Sequence, residues 1–318
     1  MRTNSPQRVA MFANPISGSG RGAAVARAVE RELRRDGVEV VPHLARPREA
    51  PFGADGFDAL VVVGGDGTLR DVVRWATTGA ASASVSIPPV LLVPMGTANL
   101  MGQCLGLPWS HGANLDALAD ALRAGHTAQL DVAATDDDLV LMVLGVGIDA
   151  AIVRALHLVR SGPISKASYL LPSLRAAMEY DYPPLTVCVD GSAIWADRPA
   201  MVFVGNVSQY GTGFPVCPLA RPDDGLLDVC IVPADSLEET VGWFLLAAGG
   251  AHVGCEGVLY ARGSRIVIDA PRSLPVQIDG EAAGFSPVSV SMTRMKLPMV
   301  VASTISFPSA TMPRPHMP

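Results

Sequence analysis

The sequence predicts an α/β half followed by a half built mainly of antiparallel strands, and three observations carry that prediction. A chain of 318 residues with 49% hydrophobic content can bury a large core and is long enough for two domains. Up to about residue 130 strand-like and helix-like stretches alternate, the pattern of a parallel sheet with helices on its faces. Beyond that point strands follow strands, with two helical insertions.

The elements follow in order. "RVAMFANP" (8–15) has the unbroken apolar run of a buried strand, and "RGAAVARAVERELRRDG" (21–37) is helix-forming, with Gly37 as its C-terminal cap. "VEVVPHLA" (38–45) and "FDALVVVGG" (57–65) are the next strands. "TLRDVVRWATT" (68–78) is a helix, "PPVLLVPMG" (88–96) a strand, and "TANLMGQCLG" (97–106) a helix start. The segment 124–138 is the expected boundary, giving domains over 8–130 and 131–305. In the second half, Val- and Ile-rich runs at 139–147, 185–190, 199–208, 226–232 and 264–270 predict strands, and 149–160 and 166–180 predict helices. The tail 306–318, with four prolines in "SFPSATMPRPHMP", reads as disordered.

The bulk properties exclude several classes. A net charge of −6 without any Lys/Arg cluster argues against a nucleic-acid surface. Five cysteines, at 104, 188, 217, 230 and 255, show no CxxC spacing and read as reduced thiols, which predicts a cytoplasmic protein. The N-terminal stretch has no apolar run long enough for a secretory signal. The longest apolar run, "VGWFLLAAGGAHVG" (241–254), falls short of the roughly 20 residues a bilayer span needs. Ser236 and Glu239 predict a capping box there, and Leu237, Val241, Phe244, Leu245 and Ala248 share one face of the helix that follows, read as core-packed with a membrane-dipping role as the alternative. The six histidines have no metal-ligand spacing, and no GxSxG elbow supports a serine hydrolase.

Three segments join a strand end, Gly or Ser, and a helix start: "NPISGSGRG" (14–22), "GGDGT" (64–68) and "MGTAN" (95–99). In a parallel α/β sheet such loops gather at the strand carboxyl ends, where helix N-termini offer N–H donors to an anion. The set predicts a phosphate cradle. It has no GxxxxGK[ST], and the first loop lacks the dinucleotide GxGxxG, so the nucleotide would be held in another way. Asp66, among glycines, cannot attract phosphate by charge; it can recruit Mg²⁺ or take a proton from a hydroxyl. In the second half "RPDDGLLD" (221–228) gathers Asp223, Asp224 and Asp228 at an Asp-Gly turn, and "VQIDGEAAG" (276–284) sets Asp279 and Glu281 around Gly280 at a strand end.

In this combination the sequence resembles the soluble diacylglycerol kinase catalytic family of bacteria, relatives of the sphingosine and ceramide kinases. The likeness rests on "NPISGSGRG", "VVVGGDGTLRDVV" and "VPMGTANLMGQCLGLP" in order, and continues through "LGVGIDA" (144–150), "KASYLLPSLRAA" (166–177), 204–232 and 276–284. The resemblance implies an N-terminal α/β nucleotide-binding domain like that of phosphofructokinase and NAD kinases, and a C-terminal β-sandwich domain. It implies that ATP phosphates are held by Asn14, Pro15, Ile16, Ser17 and Gly18, by Gly64, Gly65, Asp66, Gly67, Thr68, Leu69, Arg70 and Asp71, and by Gly96, Thr97 and Asn99. It implies Mg²⁺ at Asp224 with Arg221 and Leu226, and a proton acceptor at Glu281, beside Asp279, with Asp66 as the second choice.

The family's usual Asn-Glu after "GGDGTL" is here Arg70-Asp71, the acid that often follows "GTAN" is Leu100, and a Thr common at the end of the second strand is missing near "HLARP". These departures bear on adenine-ribose contacts and acceptor choice. The implied activity is ATP- and Mg²⁺-dependent phosphorylation of a lipid hydroxyl, diacylglycerol first, by a protein peripheral to the inner face of the membrane. Sphingoid bases or ceramide as acceptor, an NAD kinase, and a non-catalytic nucleotide-binding regulator are the alternatives; a homo-oligomer stays open.

Overall fold

The computed structural model describes residues 6–43, 53–77, 86–158, 166–211 and 213–307. The ends of the segments predicted at 38–45, 68–78 and 149–160, and the Pro-rich stretch 308–318, lie outside the described residues. The chain divides into two compact units, one of residues up to Val132 together with Arg294–Phe307, the other of Ala133–Thr293.

Unit 1 comprises β1 (Arg8–Ala13), α1 (Ser17–Gly20), α2 (Gly22–Arg35), β2 (Glu39–His43), β3 (Ala59–Gly64), α3 (Asp66–Thr77), β4 (Val90–Pro94), α4 (Leu100–Cys104), α5 (Leu115–Ala124) and most of β5 (Thr127–Ala134). Its sheet runs β2-β1-β3-β4, every pair parallel, with Val9 opposite Ala59 and Leu60 opposite Val90. β1, β3 and β4 are buried on both faces, which is why they read as unbroken Val/Leu/Met runs rather than alternating ones. α2 presents Gly22, Ala26, Val29 and Leu33 to the core at helical spacing. It ends as predicted: the Gly37 and Val38 N–H groups bond back to Arg34 and Leu33 carbonyls. Trp109 is fully buried, and its indole N–H donates to Leu92 O at 2.7 Å, so a large ring enters the core without an orphaned donor.

Unit 2 comprises the end of β5, β6 (Leu139–Val140), β7 (Val143–Val146), α6 (Ile148–Leu158), α7 (Lys166–Glu179), β8 (Pro184–Val189), β9 (Ser192–Gly205), β10 (Leu227–Pro233), α8 (Leu237–Ala248), β11 (Leu259–Gly263), β12 (Arg265–Asp269), β13 (Pro275–Ile278), β14 (Glu281–Phe285) and the first part of β15 (Val288–Val300). The strands form two antiparallel layers that share β9. Its first part pairs β8, which continues to β12 and β15; its last six residues pair β7 on one side and β10 on the other, extending to β13-β14 and to β11. Leu144, Val146, Val202, Val229, Ile231 and Val276 from one layer pack in one core with Leu185, Val187, Trp195, Ile266, Ile268 and Val290 from the other. This is the β-sandwich that the resemblance implied.

One expectation fails. α8 is capped as the sequence predicts, with Glu239 N–H donating to Ser236 Oγ at 3.3 Å, though the return arm falls one residue upstream, from Asp235 N–H to Glu239 Oε2. Of the predicted face Phe244 packs inward, while Val241, Leu245 and Ala248 do not. Thr240 and Ala247 are buried, and Trp243 and Phe244 turn toward Met201, Phe203, Val216, Val232 and His252. Val241 and Leu245 are 51% and 73% exposed. A helix apolar all round carries no periodicity to say which side is inward, and here the aromatic pair took the core.

Candidate functional site

In unit 1 the three predicted loops converge. Asn14 follows β1; its N–H donates to Val63 O, and its Oδ1 accepts Ile16 N–H at 3.2 Å. The Ser17 amide and hydroxyl both reach Asn14 O, the hydroxyl at 2.8 Å, so the turn is closed from inside while Pro15 and Ile16 stand exposed. Met95 N–H donates to Gly64 O at 2.8 Å, tying the second loop to the third. There Gly65 and Gly96 lie backbone to backbone: a Cβ on Gly96 would sit 2.8 Å from Gly65 Cα. Only glycine permits that approach.

Asp66 answers to both loops. Leu100 N–H donates to its Oδ2 at 3.0 Å and Met101 N–H to its Oδ1 at 3.2 Å, so the carboxylate opening α3 also caps α4, more than thirty residues on. Burial pushes its pKa up, and the amides of Leu100 and Met101 pull it back. Asn99, at φ 51°, shapes the third loop, its Oδ1 accepting Gly96 N–H at 2.6 Å and its Nδ2 donating to Gly96 O at 3.0 Å. Thr97 is exposed at the tip. Gly67 and Thr68, in the first turn of α3, bring the unbonded N–H groups of a helix start, the donors an anion uses. Leu69 and Arg70 continue the predicted run. Leu69 is fully buried with its amide bonded to Gly65 O, and Arg70 is 5% exposed, so both side chains belong to the packed side of α3.

In unit 2, Asp279 sits at φ 52° between β13 and β14. Its carboxylate accepts Leu141 N–H at 3.1 Å, Met142 N–H at 2.8 Å and Val143 N–H at 3.0 Å, and its own N–H donates to Val143 O. Asp279 is thus a clamp holding the 278–281 turn against the start of β7, a part the sequence did not indicate. Glu281, half-buried, opens β14 opposite Ile278.

At the second acidic turn Asp224 Oδ1 accepts Leu226 N–H at 3.2 Å, and its Oδ2 pairs with Arg262. Arg262 also reaches the fully buried Asp228 at 3.3 Å, and Tyr260 OH donates to Asp228 at 2.8 Å; burial pushes Asp228's pKa up. Arg221 forks onto Asp223 at 3.1 and 3.2 Å. Among the described residues no three His, Cys, Asp or Glu side chains gather to hold a metal. A carboxylate and backbone carbonyls of one turn are nonetheless hard oxygen donors of the kind Mg²⁺ takes together with waters.

The sequence reading gave no role to Asp149, at the start of α6 and 7% exposed. Burial pushes its carboxyl up to about 7, against the lowering effect of Tyr210 OH and the Gln277 amide. A Cβ on Gly145 would lie 2.6 Å from Gln277 Nε2 and 2.8 Å from Asp149 Oδ2, so the missing side chain at 145 is what admits this polar pair to the interior. The signal was present: "LGVGIDA" puts one acid in an apolar stretch.

Comparison with known proteins agrees with this geometry. Residues 8–135 match the diacylglycerol kinase catalytic domain, and residues 142–301 match the YegS C-terminal NAD kinase beta sandwich-like domain. A diacylglycerol kinase of Mycobacterium tuberculosis is 29% identical over 303 residues, covering 92% of this chain and 94% of that one. A probable lipid kinase YegS-like protein of Pseudomonas aeruginosa is 31% identical over 229 residues, covering 72% of this chain and 71% of that one. The crystal structure of a diacylglycerol kinase from Bacillus anthracis, 21% identical, superposes with a TM-score of 0.70 over 94% of this chain and 98% of its own, a likeness of fold. The chain belongs to the bacterial diacylglycerol kinase family that includes the YegS-like lipid kinases, and it is a lipid kinase.

Proposed function

We propose that this lipid kinase transfers the γ-phosphoryl group of ATP to the free hydroxyl of diacylglycerol, giving phosphatidic acid and ADP. The observation that carries the reading is the joined pair of glycine loops in unit 1, closed by Asp66 and lined by helix-start amides. Backbone N–H groups at Gly18, Ser19, Gly67 and Thr68 would hold the triphosphate, with the exposed Thr97 hydroxyl beside them. Asp66 repels phosphate by charge, so its part is to keep the third loop against the second. Glu281 would accept the hydroxyl proton as the new P–O bond forms and the bond to the ADP oxygen breaks. It is preferred over Asp66 because both Asp66 oxygens already accept amides. Asp224, with the carbonyls of Arg221 and Leu226, would hold Mg²⁺, and Arg262 keeps that carboxylate in place. Bound Mg²⁺ supplies neutralisation of phosphate charge.

The test is incubation of the purified protein with labelled ATP, Mg²⁺ and mixed micelles of diacylglycerol, sphingosine, ceramide or monoacylglycerol. Labelled phosphatidic acid is the expected product. Label in a sphingoid product instead would move the acceptor, and no labelled lipid from any of them would reject the reading. Glu281→Gln should cut kcat by roughly 10²-fold or more with the fold retained.

A further inference from the structure

α8 is a largely apolar helix with one side packed and one side exposed. Its inner face is complete: Thr240 Oγ1 bonds Ser236 O and lies 3.0 Å from Tyr182 OH, while Trp243, Phe244 and Ala247 fill the space over Val216 and His252. The outer arc carries Val241, Leu245, Leu246 and Ala248, all exposed, with Leu245 at 73% and Leu246 at 41%. After Glu239 the helix has no charged residue, and up to Cys255 the one ionisable imidazole, His252, is buried with Nε2 on Val216 O. Glu238 and Glu239 stand exposed in the first turn, and from Val241 onward the exposed arc of α8 carries no charge.

Two physical arguments choose its occupant. A second copy of the chain would need a far larger surface: the uncharged residues Val241–Ala248 make a strip about 12 Å long and about 10 Å wide, or about 120 Å², against the roughly 800 Å² per partner of a stable dimer. An uncharged arc of Val and Leu complements the uncharged acyl boundary of a bilayer, and a helix of this length lies in that boundary rather than crossing it. No helix among the described residues is long and apolar enough to cross. α7 also exposes Leu174 and Met178, but Arg175 and Glu179 form an ion pair at 2.8 Å beside them, which keeps that face in water.

We propose that α8 docks this kinase on the lipid bilayer, with Val241, Leu245 and Leu246 entering the headgroup–acyl boundary. The inference rests on the proposed lipid acceptor, a substrate that resides in the bilayer. The experiment compares the full chain with the V241S/L245S double variant, and with M178S on α7, in flotation with phosphatidylcholine vesicles containing diacylglycerol. In parallel, kcat/KM is measured on vesicle-borne diacylglycerol and on a short-chain, monomeric diacylglycerol. Each apolar side chain removed should weaken vesicle binding roughly ten-fold or more. The double variant should therefore lose vesicle binding and vesicle kcat/KM together, with short-chain kcat/KM unchanged and M178S behaving as wild type. Circular dichroism confirms the variant's fold; were it lost, L245S alone carries the same comparison.

Vesicle binding equal to wild type in the folded double variant overturns the proposal. So does a wild-type dimer in sedimentation that the double variant dissociates without altered vesicle binding. If neither lipid is phosphorylated while the binding difference persists, the acceptor reading fails and the docking assignment stands.

Discussion

Replacing Asp149 by Asn should make unit 2 more stable, and increasingly so as pH rises. In the unfolded chain the carboxyl titrates at its ordinary 3.8; in the fold, burial pushes it up to about 7. Below pH 4 both states carry the proton, and the group adds nothing to the pH dependence. Between those values the folded state holds a proton that the unfolded state has released, so each pH unit upward costs about 1.4 kcal/mol of stability. The loss levels off above pH 7 at about 4 kcal/mol. Asn keeps the shape and neutrality of the protonated acid and does not titrate. The stability difference between variant and wild type should therefore grow by about 3 kcal/mol from pH 5 to pH 8. For a unit of this size that corresponds to about 6–12 °C in Tm. Urea unfolding followed by circular dichroism at several pH values gives the two curves, and taking their difference cancels every other titrating group. Parallel curves across that range would falsify the assignment of a neutral acid at this position.

Three further outcomes follow from the same contacts. Asp279→Asn presents an NH₂ group where three backbone amides point at a carboxylate, and should cost about 1–3 kcal/mol in urea unfolding; unchanged stability would remove its clamp role. Asp66→Ala should uncap α4 at a cost of about 1–2 kcal/mol and speed hydrogen exchange at the Leu100 and Met101 amides; protection equal to wild type there would show that the carboxylate does not hold them. Gly96→Ala would press a Cβ to 2.8 Å from Gly65 Cα, parting the loops, so ATP binding by calorimetry should weaken at least ten-fold while the chain stays folded; undiminished affinity contradicts the cradle.

Local chemistry was legible in the sequence, and long-range pairing was not. The runs Val9–Phe12 and Leu60–Val63 announce doubly buried strands because no alternation interrupts them, and Gly37 announces the end of α2 because a helix stop is a local event. The three loops could be grouped because strand carboxyl ends of a parallel sheet share one edge. The amide partners of Asp279 and Asp66 were not legible, since they lie 136 to 138 residues away for Asp279 and 34 to 35 for Asp66. Arg262 was passed over for the same reason, being 38 residues from Asp224. The facing of α8 was assigned correctly only at Phe244, because from Val241 to Ala248 apolar or small residues lie on every side of its axis.

β9 has a mechanical consequence. β9 is the edge of one layer, beside β8, and lies inside the other, between β7 and β10, so the β8 layer cannot peel away without pulling on a strand central to its partner layer. Loosening begun at β8 is carried along one covalent backbone to the layer that holds Asp279. Unit 2 should then yield as a single body, and limited proteolysis should leave no surviving half-sandwich.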